Sequence, residues 1–259
     1  MTWDSFMYFA MGAVICWTSS AVLAFRARKA VVPAVVCACG SAIFGAFILG
    51  LWLTLERPPM RTMGETRLWY SLFVSLIGLF IFLRYRYKWI LSFSAVLSIV
   101  FVCVNLFKPE IHNANLMPAL RSPWFVPHVI VYMFAYALMG AATLFAVYLW
   151  IKSRRQDISE EISVCDNLVR VGWIFLTMGI VMGALWARQA WGDSWAWDPK
   201  ETWAAATWMT YLLYLHARPS IKDSQYGFAL LILAFLMLQM CWYGINYLPA
   251  AQGMSVHTY

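Results

Sequence analysis

Trp191-Gly192-Asp193-Ser194-Trp195-Ala196-Trp197-Asp198-Pro199-Lys200-Glu201-Thr202-Trp203 places four tryptophans within thirteen residues, between two apolar segments long enough to cross a bilayer. The stretch ends in a helix-start signal. Asp198 reads as the N-cap, Pro199 as the first helical residue and Glu201 as the third, a reciprocal capping arrangement with Asp in the usual Ser/Thr place. The tryptophans therefore sit on a loop fixed at one end by a well-started helix. An interfacial aromatic belt would spread its rings over many helix ends; this chain gathers them on one loop beside an acidic cap.

Working outward, the composition fits a membrane protein. The 259 residues are 63% hydrophobic and only 12% charged, with mean hydropathy +0.67, more apolar surface than a soluble domain could hide. The net charge of +7 calls for no nucleic acid, because the basic residues cluster in short loops between apolar runs. The six cysteines form no C-x-x-C or C-x-x-C-H pattern, so the chain carries neither a thioredoxin-like dithiol nor its own c-type haem attachment site. Cys37 and Cys39, inside an apolar run, read as small packing residues. The first run lacks a charged n-region and a small-residue cleavage site, and reads as a retained span.

Eight runs of spanning length are expected, at about 5–25, 31–55, 67–83, 89–107, 128–151, 168–187, 202–217 and 225–248. The loops after the first, third, fifth and seventh carry eleven basic residues (Arg26, Arg28, Lys29, Arg84, Arg86, Lys88, Lys152, Arg154, Arg155, Arg218, Lys222). The opposite side carries seven. By the positive-inside rule the richer side is cytoplasmic, and both termini and the tryptophan loop face outward. The expected fold is an all-α polytopic helical bundle. It forms one membrane domain over 1–259, with four spans in 1–107, four in 108–259 and the external tryptophan-rich loop at 188–203.

Of the four histidines, His128 opens the fifth span and His257 is the third residue from the C-terminus. On this topology both reach the side of the tryptophan loop. Two imidazoles from distant parts of the chain beside flat indoles suit an iron porphyrin, one imidazole to each axial position. Each histidine taken alone also fits a polar interface residue or a terminal-tail residue. A zinc site from the same pair would lack the usual short ligand spacings. His216 stands about 26 Å along the seventh span, counted at about 1.5 Å per residue from Pro199. It fits two readings equally: an interfacial histidine beside Arg218 and Pro219, or an intramembrane ligand. It shares a face with Thr202, Ala205, Met209 and Leu212 or Leu213. His112, beside Asn113 and Asn115, reads as a solvated loop histidine.

The tryptophan stretch resembles the "WWD" signature of haem-handling membrane proteins. Its continuation Tyr211-Leu-Leu-Tyr-Leu-His216-Ala-Arg218 resembles the CcsA (ResC) branch, the haem-handling half of the system II cytochrome c synthase. Leu116 through His128 and Gly244 through His257 are similar to the flanks of that branch. Ser194 departs from it, standing where many relatives have a bulky aromatic. The resemblance implies that His128 and His257 are axial ligands of an external haem b and that His216 ligates haem in transit. It places Trp191, Trp195, Trp197 and Trp203 around the porphyrin, with Asp198 fixing the loop. It implies a CcsB/ResB-type partner subunit and an apocytochrome c substrate, in a bacterial inner membrane or a plastid thylakoid. Arg57, Arg61 and Arg121 are the expected candidates for pairing with the propionates. Two other classes use the same histidines: a haem exporter without attachment activity, and an electron-transfer cytochrome that keeps its haem.

Overall fold

A computed structural model describes residues 1–112, 122–153, 158–221 and 225–248. His257 and Arg121 lie outside the described residues. Among those described, all regular structure is helical: α1 (Phe6–Arg26), α2 (Val31–Leu55), α3 (Met63–Tyr85), α4 (Lys88–Phe107), α5 (Phe125–Lys152), α6 (Ser159–Trp191), α7 (Pro199–Ile221) and α8 (Gln225–Trp242). Seven of them, all but α7, are long and apolar enough to cross a membrane. The 23 residues of α7 give about 34 Å, sufficient for a hydrocarbon core of about 30 Å. Its composition is more polar, since it opens on Lys200 and Glu201, closes on Arg218, and carries three threonines and His216 between.

Local chemistry sets the helix limits. α3 begins four residues before the expected span because Thr62 and Glu65 cap it reciprocally: Thr62 Oγ1 accepts from the Glu65 N–H at 3.1 Å, and the Glu65 carboxylate accepts from the Thr62 N–H at 3.2 Å. α6 has 33 residues, about 50 Å. A scan for apolar runs misses its first turns because Glu160, Glu161 and Asp166 are polar, although helix formation needs no apolar residues there. α8 stops at Trp242, short of the expected 248, and a 3-10 turn (Gly244–Tyr247) follows.

Packing divides the chain into two units, Met1–Leu116 and Met117–Tyr259. In the first, α1 packs on α2 and α4, and α3 on α2 and α4. The core is aromatic, with Phe6, Trp17, Phe44, Phe47 and Phe82 buried. Small polar residues stitch the helices together. Trp17 Nε1 donates to Ser41 Oγ at 3.3 Å, Ser41 and Ser75 share a hydrogen bond of 3.0 Å, and Ser98 Oγ donates to the Ser71 carbonyl at 2.9 Å. Such bonds tie helices together where lipid removes the hydrophobic drive between them. Cys37 is buried as expected of a packing residue, whereas Cys39 is exposed.

Two readings change in this unit. Arg57 is committed to Glu65, its Nη1 and Nη2 donating to the two carboxylate oxygens at 3.0 and 2.8 Å, so it does not stand ready for a propionate. The backbone N–H of Arg61 donates to the same carboxylate at 2.6 Å. His112 is not a solvated loop residue. The short turn Pro109–His112 folds back so that its imidazole stacks on Trp3, centroids 3.6 Å apart and planes 5° from parallel. Burial holds its pKa below the ordinary 6.5, opposed by a hydrogen bond to the Asn105 backbone and by the charge of Glu110.

In the second unit α5 packs on α6 and α8, and α7 on α6 and α8. Successive helices alternate in direction, so each end of the unit gathers particular residues. One end holds the start of α5, the finish of α6, the start of α7 and the finish of α8. The other holds the Lys152–Glu161 ion pair and a buried carboxylate, Asp166, which accepts from Tyr214 Oη at 2.6 Å and from Arg218 Nε at 2.9 Å. These bonds clamp the last turns of α7 to α6.

Candidate functional site

The site is built from the first turn of α5. The His128 N–H bonds the Trp124 carbonyl at 3.1 Å, which seats the residue in the helix with its ring turned towards α6. There Nδ1 lies 2.8 Å from the Gly179 carbonyl. A carbonyl only accepts, so Nδ1 carries the proton and the lone pair belongs to Nε2. Tyr132, one turn on, meets the imidazole edge-on at 4.6 Å, and Trp186 lies tilted over it at 5.6 Å. Trp186 is 2% exposed and passes the contact onward, its ring 4.8 Å from Trp191 in an edge arrangement. Tyr132, His128, Trp186 and Trp191 thus form one continuous run of rings.

At Trp191 the chain leaves α6. Gly192 takes the left-handed conformation (φ 94°) and its N–H closes the helix on the Arg188 carbonyl at 3.0 Å. Trp195 and Trp197 then stand at right angles, centroids 5.7 Å apart. Trp197 has φ 55° and is 70% exposed, an unusual backbone for a bulky residue. The Nε1 of Trp195 is buried without a hydrogen-bond partner among the described residues, and such donors are normally matched by an acceptor.

The loop is anchored as its sequence indicated. Asp198 Oδ1 accepts from the N–H groups of Lys200 at 2.6 Å and Glu201 at 3.3 Å. Glu201 Oε2 accepts from those of Ala196 at 2.7 Å and Asp198 at 3.3 Å. Asp198 is buried by this role. Trp203 lies half-buried in the second turn of α7, its carbonyl bonded by Thr207 Oγ1 at 2.8 Å. At the finish of α8, Cys241 Sγ approaches the Lys200 carbonyl at 3.5 Å and Trp242 packs edge-on to Tyr136 at 5.3 Å. The chain thus approaches its C-terminus at the same end of the unit as His128 and the tryptophan loop, although His257 itself lies outside the described residues.

His216 is elsewhere. It occupies the opposite end of the unit, exposed on α7 in line with the exposed Met209 and Leu213, with Nδ1 3.1 Å from the Leu212 carbonyl of its own helix. The structure therefore gathers His128, Trp191, Trp195, Trp197, Asp198 and Trp203 at one end and separates His216 from them. Among the described residues no group of three His, Cys, Asp or Glu could hold a metal ion.

Residues 5–251 match the family described as Cytochrome C assembly protein. The chain belongs to that family. It is 28% identical to the cytochrome c biogenesis protein CcsA of Cuscuta reflexa, over 80% of this chain and 78% of the relative. It is 26% identical to that of Trachelium caeruleum, over 90% and 84%, and 36% identical to that of a Prochlorococcus marinus strain, over 63% and 62%. The resemblance read from the tryptophan stretch is met. As a cytochrome c assembly protein the chain has a role in cytochrome c maturation, a process in which haem is handled.

The sequence of the assembly protein did not single out Trp186, Tyr132, Gly179 or Gly183. The available signals were the i, i+4 pair His128/Tyr132 and Gly179-Ile-Val-Met-Gly183, a small-xxx-small pattern. Replacing Asp198 with Ala removes the cap and is expected to cost about 1 kcal/mol locally. Amide exchange at Lys200 and Glu201, whose N–H groups bond that carboxylate, should quicken about fivefold while the remainder of α7 stays protected; unchanged exchange there would remove Asp198 as the loop's anchor.

Proposed function

We propose that this chain binds haem b as a substrate, carries it across the membrane and presents it on the tryptophan loop for covalent attachment to the C-x-x-C-H segment of an apocytochrome c. It acts as the haem-handling subunit of a haem lyase, with a CcsB/ResB-type membrane partner. The membrane is a bacterial inner membrane or a plastid thylakoid, and the loop faces outward. The observation that carries this reading is the histidine held at Nδ1 by a backbone carbonyl and packed into a run of aromatic rings, the arrangement by which metal-ligating imidazoles are usually oriented.

In this reading Nε2 of His128 and an imidazole nitrogen of His257 take the two axial positions of the iron. Trp191, Trp195, Trp197 and Trp203 cover the porphyrin, and Asp198 keeps the loop in place. Two imidazoles keep the iron six-coordinate and unreactive towards oxygen. The vinyl edge is then offered to the substrate thiols, each S–H adding across one C=C, so that an S–C and a C–H bond form with no net oxidation. The protein's contribution is position and access. His216, exposed on α7, suits a ligand that meets haem in transit against a second imidazole from the partner subunit.

The test is a c-type reporter co-expressed with this chain and its partner, read by covalent haem staining. Wild type should give stained reporter, and His257→Ala should bring the signal to background with partial recovery on adding imidazole. Full staining with His257→Ala would defeat the axial-ligand assignment. Haem that accumulates outside the cytoplasm with no thioether formed would identify an exporter instead.

A further inference from the structure

We infer that Gly179 and Gly183 of α6 are positioning residues for His128: the Gly179 carbonyl sets its tautomer, and the bare Cα of Gly183 leaves room for its ring to lie against α6. The inference rests on the reading of His128 as a haem ligand.

The geometry is tight. A Cβ at position 183 would stand 2.7 Å from Cε1 and 2.8 Å from Nδ1 of His128, and one at position 179 would stand 2.6 to 3.0 Å from three ring carbons of Tyr132. Real Cβ atoms do not approach so closely, so either methyl would displace an aromatic ring. Spaced four apart, the two glycines share one face of α6 and make a trough for the i, i+4 pair on α5. Within it the imidazole is constrained on several sides, by the Gly179 carbonyl at 2.8 Å, the edge-on Tyr132 and the tilted Trp186. A methyl at 183 strikes the hydrogen-bonded nitrogen itself and its neighbour Cε1. The ring can move away only by lengthening the Nδ1 bond, which releases the proton position that keeps the lone pair on Nε2.

A third glycine of α6 supplies the comparison. A Cβ at Gly172 would stand 3.0 Å from Sδ and 3.1 Å from Cε of Met139, the far end of a flexible side chain, and 3.3 Å from Cβ of Leu138. Gly172→Ala therefore disturbs α5 against α6 without touching the imidazole. Neither alanine weakens α6 itself, because alanine favours helix more than glycine does.

The experiment compares Gly183→Ala, Gly172→Ala, His128→Gly and the double variant Gly183→Ala/His128→Gly in the full chain with its partner and a c-type reporter. Reporter haem, the absorption spectrum of haem bound to the purified complex, the response to added imidazole, and the thermal midpoint and yield of each variant are all measured. Gly183→Ala should lower reporter haem about tenfold or more, the scale on which loss of a ligand's outer hydrogen bond acts. Its bound haem should shift from a six-coordinate low-spin to a high-spin spectrum, and imidazole should reverse both changes. Gly172→Ala should stay within about twofold of wild type. With the side chain of 128 removed, the methyl at 183 has no ring to strike, and the thermal midpoint and yield of the double variant should match those of His128→Gly.

Normal low-spin haem and reporter in Gly183→Ala, beside an inactive His128→Gly, would overturn the positioning role and leave the proposed function standing. A lower thermal midpoint or yield for the double variant than for His128→Gly would also overturn it, by revealing general packing damage. Full activity in His128→Gly would instead reject the haem-ligand reading on which the inference stands.

Discussion

His128→Ala is expected to reduce haem attachment to a c-type reporter by at least about 100-fold, the upper end of the loss produced when a metal ligand merely loses its hydrogen-bonded support. The expectation follows from the surroundings of the ring. The imidazole lies between Tyr132 and Trp186 against Gly183. Truncation leaves a space of that shape, still walled by aromatic rings and still carrying the Gly179 carbonyl as an acceptor. Free imidazole has the same outline and the same donor, so it should enter and restore part of the activity, which a general folding defect would not allow. The variant should also reach the membrane in normal amount, because the run Trp186–Trp191 and the Asp198–Glu201 cap do not depend on residue 128. Retention of full reporter staining would remove His128 from the site.

The second large effect belongs to stability. Glu65 is 2% exposed and accepts from both guanidinium nitrogens of Arg57 and from the backbone N–H groups of Arg61 and Thr62. Alanine there removes the capping partner of α3 and leaves the guanidinium, itself only 18% exposed, beside vacant space. Breaking a buried pair from one side costs about 3 to 5 kcal/mol, and the partial exposure of Arg57 places the expected value near about 3. That corresponds to a fall of about 10 °C in the thermal midpoint for a unit of this size. Glu65→Gln keeps an acceptor oxygen for the backbone donors and should lose about half as much. A midpoint within about 2 °C of wild type for the alanine variant would mean that the pair does not hold the loop to α3.

Helix number, the capped loop and the placing of His128 beside the tryptophans were legible because each is written locally: apolar runs of spanning length, Asp198-Pro199-x-Glu201, a histidine one residue after Pro127. What the sequence hid depends on pairs far apart. Asp166 and Arg218 are 52 residues apart, and nothing in either segment announces the other. The polar first turns of α6 look like a loop to any hydropathy scan, yet they complete a helix held by Tyr214 and Arg218. His112 sits in a polar stretch, and only the turn at Pro109 brings it onto Trp3. Trp186 is one of fifteen tryptophans, set apart only by its contact with the imidazole. Arg57 looked available because charge alone does not tell whether a partner waits eight residues on.

The mirror-image backbone at Trp197 has a consequence for how this loop came to be what it is. Holding an L-residue there costs about 1 kcal/mol or more, and a ring open to the surroundings over most of its area returns little of that through burial. Selection for folding alone would settle on glycine or asparagine at 197. An indole in that position is a standing burden on the native state that burial does not offset.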